Sequence, residues 1–216
     1  LYDSLKRIDL ANRLLRDSTP FLEHYFAFPF AGERPRFRFE APNAVIEPVR
    51  DQLPGSNTDA YAVQHWVTVA DERGTLAWSP LEAPVVALGD LWVPPLSQAH
   101  HAATPPGYGH DFLRSPEQFT RGHIYSYAMV SNYRTNFRPV QPGEALFRYS
   151  LTTLPTDGAQ GAARDFGWAA ASPLAPVVVS GPQAGLLPAA TGFCRVDAPN
   201  VLVLTLKAAE EGDGLI

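Results

Sequence analysis

The feature that most constrains the fold is a period of two in the apolar residues. "YAVQHWVTVA" (61–70) places Tyr61, Val63, His65, Val67 and Val69 on one face, and Gln64, Trp66 and Thr68 on the other. "ALFRYSLTT" (145–153) does the same with Phe147, Tyr149 and Leu151 against Leu146, Arg148 and Ser150. Alternation of this kind suits a strand with two distinct faces and does not suit a helix. Further short apolar runs occur at 24–30, 36–40, 75–79, 84–89, 124–130, 175–180 and 193–197. "NVLVLTLKA" (200–208) is almost wholly apolar, as expected of a strand covered on both sides. Roughly ten short strands separated by Pro, Gly, Asn and Asp predict an all-β fold, a large antiparallel sandwich with few short helices.

Helical signals are sparse. "SPEQF" (115–119) offers Ser115 as N-cap, Pro116 at the first helical position and Gln118 three residues after the cap, which predicts a turn or two. "LANRLLRD" (10–17) fits an amphipathic helix or a strand equally by pattern. Residues 94–114, rich in Pro, Gly and small side chains, read as a long surface excursion. Asp71-Glu72-Arg73-Gly74 sits between two strand patterns and predicts a hairpin turn, with Gly74 at positive φ. No repeat or composition shift marks a boundary, so one domain is the simplest organisation.

At 216 residues the chain can bury one sizeable core or two small ones. Its net charge of −5 and singly scattered arginines form no basic stripe, which argues against nucleic acid as a partner. No apolar run reaches the ~18–20 residues that a membrane-spanning helix needs. Cys194 is the sole cysteine, so an intrachain disulfide and a cysteine-based metal site are excluded. A missing disulfide is compatible with a bacterial cytoplasm, the expected location, and the scarcity of lysine beside abundant Pro and Gly suits a GC-rich bacterial genome. The chain opens at "LYDSLKR" without methionine and stops at "EEGDGLI", where Leu215 and Ile216 resemble the start of another strand. It therefore reads as residues cut from a longer protein at both ends.

Several groupings invite chemistry. His100 and His101, with His110 and Asp111 nearby, are the metal-like cluster, but adjacent histidines diverge and no H-x-x-x-H helix is present. A polar loop that carries histidines explains them as well. Carboxylates at Asp71, Glu72, Asp90 and 210–214 lie in predicted turns, and spacing alone cannot place a pair across a cleft. No G-x-S-x-G or phosphate-loop pattern occurs. Trp66, Trp78, Trp92 and Trp168 are candidates for stacking on sugar rings, although tryptophan at strand positions more often fills a core. The polar run "SNYRTNF" (131–137) follows a buried-strand pattern and carries more polar and aromatic groups than a tight turn requires. It suits the rim of a binding site or a seam between parts of a larger protein. It also suits a sandwich corner whose side chains satisfy backbone groups.

Taken in order, "HYFAFPF", "DQLPGSNTDAYAVQHWVTVAD" and "GTLAWSPLEAPVVALGDLW" resemble the C-terminal β-domain of the glycoside hydrolase family 38 α-mannosidases. "YSYAMVSNYRTNFRPVQPGEALFRYSLTT" resembles that family's Asn-rich, TNF and FRYS block, and "VLVLTLKAAEEGDGLI" its late acidic-glycine segment. The resemblance runs from about residue 2 to residue 216. It implies a galactose-mutarotase-like supersandwich that packs on an α/β barrel absent from this chain. That barrel would carry zinc and an aspartate nucleophile and hydrolyse α-mannosides with retention. On this basis residues 1–216 hold no catalytic residue, metal or cofactor of their own. Asn132, Tyr133, Arg134 and Asn136, with Gln64 and His65, would line the sugar site or the interdomain seam. Ser131 replaces the first asparagine of the family's usual pair, and the tryptophan expected near Tyr133–Arg134 is missing, which leaves the sugar preference open. The alternatives from other classes are a stand-alone carbohydrate-binding module and a purely structural scaffold.

Overall fold

The computed structural model describes residues 2–91, 115–131, 138–155, 159–182, 184–198 and 201–216. The chain divides into two units, Leu1–Pro173 and Leu174–Ile216. The first is an antiparallel β-sandwich. Its six-stranded sheet has the order β1-β10-β7-β6-β3-β4, formed by Ile8–Arg16, Gly143–Leu154, Gly74–Pro80, Val67–Asp71, Arg36–Ala41 and Ala44–Ile46. The four-stranded sheet has the order β2-β9-β8-β5, formed by Glu23–Glu33, Arg121–Val130, Val85–Leu88 and Tyr61–Ala62. Every neighbouring pair is antiparallel.

The period of two decides which side chains meet between the sheets. Phe37 and Phe39 of β3, Val67 and Val69 of β6, Trp78 of β7, and Phe147, Tyr149 and Leu151 of β10 face Phe28, Val86, Leu88 and Ile124 of the other sheet. At the centre Phe28 lies 4.8 Å from Tyr149 and 5.3 Å from Trp78, ring to ring, and Trp78 lies 5.4 Å from Tyr149. Such aromatic contacts add to the large area these rings bury. The Tyr149 hydroxyl donates to Ser126 Oγ at 2.9 Å, which joins β10 to β9 across the core.

The structure decides or bears out several local readings. "LANRLLRD", open between helix and strand by pattern, is strand as far as Arg16, held by β10 through the register Ile8↔Leu151 to Arg16↔Gly143. The β6–β7 hairpin pairs Asp71 with Gly74, whose φ is +150°. Pro116–Gln118 is a single 3-10 turn, and Ser115 N–H donates to Gln118 Oε1 at 2.7 Å. The predicted strand 61–70 is split, with Val63–Trp66 between β5 in one sheet and β6 in the other. Residues 94–114 lie outside those described.

Two corrections are needed. The chain contains a 13-residue helix, α1 (Ala159–Ala171), that the sequence pattern did not announce. It packs against β7 and β10, and its buried Ala163, Gly167 and Ala170 form a small-residue face at i, i+4 and i+7. The strands expected at 175–180, 193–197 and 200–208 are not formed among the described residues of the second unit. Val201, Leu202, Val203, Leu204 and Leu206 are exposed, and among the described residues of this unit no strand pairs with them. What order this unit has centres on the bridge Ala208↔Leu215, with Lys207 and Ile216 exchanging backbone hydrogen bonds of 2.9 Å. Residues 210–214 form the turn between them, with Gly212 at φ +81°.

Candidate functional site

Asn132, Tyr133, Arg134 and Asn136 lie outside the described residues. The residues that lead into them are described, and they form a closed polar corner. β9 ends at Val130, and the next residue, Ser131, is 5% exposed. Ser131 N–H donates to the Leu22 carbonyl at 2.8 Å, and Ser131 Oγ accepts from Leu22 N–H at 3.2 Å. Arg16 of β1 reaches the same hydroxyl: its Nη2 lies 3.2 Å from Ser131 Oγ and 3.2 Å from the Thr19 carbonyl. Arg16 shares the inward-facing parity of Leu14 and is 6% exposed. Among the described residues its Nη1 has no partner, and neither has His24 Nε2 on β2. Burial, with a smaller contribution from the Arg16 charge, holds His24 below the usual histidine range and so favours its neutral ring. On the other side of the undescribed stretch, the Pro139 carbonyl accepts from Phe21 N–H at 2.9 Å. The two flanks of the run therefore hold the β1–β2 connection from both sides, Ser131 from the end of β9 and Pro139 from the approach to β10.

Beside this corner, the outer face of the four-stranded sheet carries an aromatic strip. Tyr25 and Tyr127 stack with centroids 4.5 Å apart and planes 10° from parallel. Tyr25 donates to Glu23 Oε2 at 3.0 Å, and burial, reinforced by the Glu23 charge, pushes the Tyr127 phenol far above its usual range. Further along β9, His123 Nδ1 and the Tyr125 hydroxyl are 3.1 Å apart.

Gln64 and His65 lie in the connection between β5 and β6. Gln64 is exposed, and only its backbone is engaged, N–H to the Glu40 carbonyl at 2.9 Å. His65 is half-buried, with Nδ1 2.9 Å from Glu40 Oε2. The other Glu40 oxygen accepts from Trp168 Nε1 at 2.9 Å, and the Trp168 ring covers His65 at 4.4 Å between centroids. Glu40 is itself buried, so both of its oxygens need these donors. The three residues come from β3, the β5–β6 connection and α1, and together they pin the helix to the edge of the sheet. The structure thus does not bring Gln64 and His65 to the segment 132–136. His65 serves a carboxylate–indole clasp.

Most other described carboxylates are committed in a similar way. Asp71 accepts from Arg73 through its backbone N–H at 2.9 Å, Nε at 3.1 Å and Nη2 at 2.9 Å. Glu82 Oε1 meets Arg148 Nε at 2.6 Å, and Glu47 lies 2.9 Å from Arg50. Trp66 and Trp78 are fully buried, which removes them as sugar-stacking surfaces. Trp92, His100, His101, His110 and Asp111 lie outside the described residues. The zinc that the family resemblance implies belongs to the barrel outside this chain, and among the described residues no three His, Cys, Asp or Glu side chains converge. No helix among the described residues is long and apolar enough to cross a membrane.

The first unit is thus defined as an antiparallel β-sandwich carrying one helix on the outside of its larger sheet. Compared with family models, curated proteins and solved structures, the chain matches none.

Sequence reasoning named Ser131 as a departure and His65 as a candidate. It missed Arg16, His24, Glu40 and the role of Trp168. The one signal for Glu40 was an acidic residue at the end of the alternating run "RFRFE".

Proposed function

We propose that this chain is the non-catalytic β-domain of a zinc-dependent, retaining α-mannosidase-like glycoside hydrolase. It would pack on a catalytic barrel and present 132–136 to the seam or to the sugar. The observation that carries this reading is the way the resemblance blocks fall on the fold. "HYFAFPF" is β2, "GTLAWSP" is β7, "YSYAMV" is the end of β9, and "GEALFRYSLTT" is β10. These blocks build both sheets, and the polar run falls in the connection from β9 in one sheet to β10 in the other. A supersandwich architecture belongs to the same proposal.

The settled state of the carboxylates supports a non-catalytic role. Glycoside hydrolysis needs two carboxyl groups opposed across a cleft, whereas Glu40, Asp71 and Glu82 are each held by neighbouring donors in structural contacts. The carbohydrate-binding module is less favoured, because two of the four tryptophans are core residues.

Asn136→Ala and Arg134→Ala in the full-length protein test the reading on an aryl α-mannoside. A seam or rim role predicts altered kcat or KM per folded molecule with little change in melting temperature. Loss of melting temperature with unchanged kinetics would place 132–136 in a structural corner instead.

A further inference from the structure

Each sheet of the sandwich has two outer strands, and three of these four edges carry features that block pairing. β4 is three residues long and β5 two. β2 holds Pro29, which has no N–H to offer, and its register with β9 shifts at His24/Tyr25 and again at Phe30/Glu33. Short strands, proline and bulges are the usual protection of an open edge. β1 has none of them. It runs nine residues in unbroken register with β10, contains no proline or lysine, and among the described residues pairs with no strand on its other side.

The core also runs out at this edge. Ile8 and Leu10 stand opposite Leu151 and Tyr149 on the inner face, where those two are 8% and 1% exposed. Ile8 and Leu10 are 43% and 37% exposed. A long, regular edge with uncovered apolar side chains is a template for another strand.

The sequence of β1 says which strand fits. Laid antiparallel on a copy of itself with Ala11 facing Ala11, β1 sets Asp9 of each copy opposite Arg13 of the other, and Ile8 opposite Leu14. Asp9, Ala11 and Arg13 share the outer face, so the small residue sits on the two-fold axis with an opposite-charge pair on either side. Ile8 and Leu14 share the inner face, where pairing covers the exposed isoleucine. Centring on Asn12 instead sets Asp9 against Leu15, and centring on Leu10 sets Arg13 against Arg7, so the charges select Ala11. Both charges remain accessible. Arg13 meets Glu144 at 2.8 Å in a pair whose side chains are 74% and 56% exposed, and the Asp9 side chain is 33% exposed beside Arg7.

We propose that β1 pairs with β1 of a second copy of this chain, joining the two six-stranded sheets into one across a two-fold axis at Ala11. A single strand pairing buries less than the ~1,000 Å² of a durable interface, so the dimer forms and dissociates with concentration. The pairing makes no use of the hydrolase reading and is tested separately from it.

The test uses the full chain in a Cys194→Ser background, so that an introduced thiol is the only one. Ala11→Cys places a thiol on the two-fold axis, where facing Cα atoms of an antiparallel pair are about 4.5–5.5 Å apart and within disulfide reach. Ala44→Cys on the opposite edge strand, β4, is the control for random collision, and both alanines are exposed. The proposal predicts a covalent dimer from Ala11→Cys under mild oxidation by diamide, well in excess of that from Ala44→Cys. Adding Arg13→Glu should reduce that dimer about fivefold, because like charges then oppose each other twice. An unchanged melting temperature confirms that each copy of this variant stays folded. The unmutated chain should move from monomer towards dimer mass as concentration rises in analytical ultracentrifugation. A chain that stays monomeric throughout, equal crosslinking at Ala11 and Ala44, or crosslinking indifferent to Arg13→Glu overturns the proposal.

Discussion

Gly167 of α1 lies so close to Trp66 that a Cβ added to the glycine would stand 2.7 Å from Trp66 Cδ1 and 2.9 Å from the His65 carbonyl oxygen. The helix can approach the sheet only because this position has no side chain. Trp66 is fully buried and the carbonyl is backbone, so neither can yield cheaply. Gly167→Ala is expected to destabilise the chain by about 1–3 kcal/mol despite its better helix propensity. Urea unfolding checks this, and the neighbouring exposed Ala169 position supplies a neutral control.

Glu40 joins His65 to Trp168, and its substitution strands two donors. Glu40→Ala should cost about 1–3 kcal/mol, because an orphaned buried group loses its full desolvation energy. Glu40→Gln keeps an oxygen for one donor and should cost less. Trp168 fluorescence should shift towards the emission of an exposed indole in the alanine variant well before global unfolding.

Tyr149 gives a pH dependence with a definite sign. Burial raises its phenol from 10.0 to about 12, against a smaller lowering by the Ser126 hydrogen bond. The neutral phenol is thus favoured in the folded state, and unfolding releases a group that ionises more readily. This contribution is fully present below pH 10 and is lost as pH rises towards 12. The Tyr127 phenol is raised too, so the wild-type loss is a sum. Tyr149→Phe should show a shallower decline in stability across that window, measured by urea midpoints at fixed ionic strength.

Period two made the sandwich legible. Each of the runs 24–30, 36–40, 75–79, 84–89, 124–130 and 145–153 became a strand, because one face had a core to meet. The same rule overreached at 200–208. Alternation states what a strand's faces can bury, not whether a neighbour exists to supply hydrogen bonds. Helix α1 escaped because its buried face is Ala163, Gly167 and Ala170, which carries little hydrophobic contrast. The Glu40–His65–Trp168 clasp escaped because its members are distant in sequence and meet only through the packing of α1. Asn132, Tyr133, Arg134 and Asn136 are named as site residues through the resemblance and lie outside the described residues, and by pattern a polar run after a strand fits a corner as well as a rim.

The corner at Ser131 separates these roles further. Ser131→Ala removes the acceptor shared by Leu22 N–H and Arg16 Nη2, and should cost about 1–3 kcal/mol in the chain alone. Arg16→Met loses two hydrogen bonds of 3.2 Å but also relieves a buried cation that has no carboxylate partner among the described residues. It should therefore cost less than Ser131→Ala, as thermal melts of the two variants can show.

The central claim is that this sandwich serves an α-mannosidase-like hydrolase whose chemistry resides elsewhere. The most direct measurement takes the complete gene product and this chain side by side, with an aryl α-mannoside as substrate and a chelator as the variable. The account predicts retaining hydrolysis by the complete protein, lost on chelation and restored by zinc, with none from the chain alone, and a His/Asp-bearing barrel upstream of Leu1. A complete protein without such a barrel, or one whose mannoside hydrolysis ignores the chelator, would contradict it.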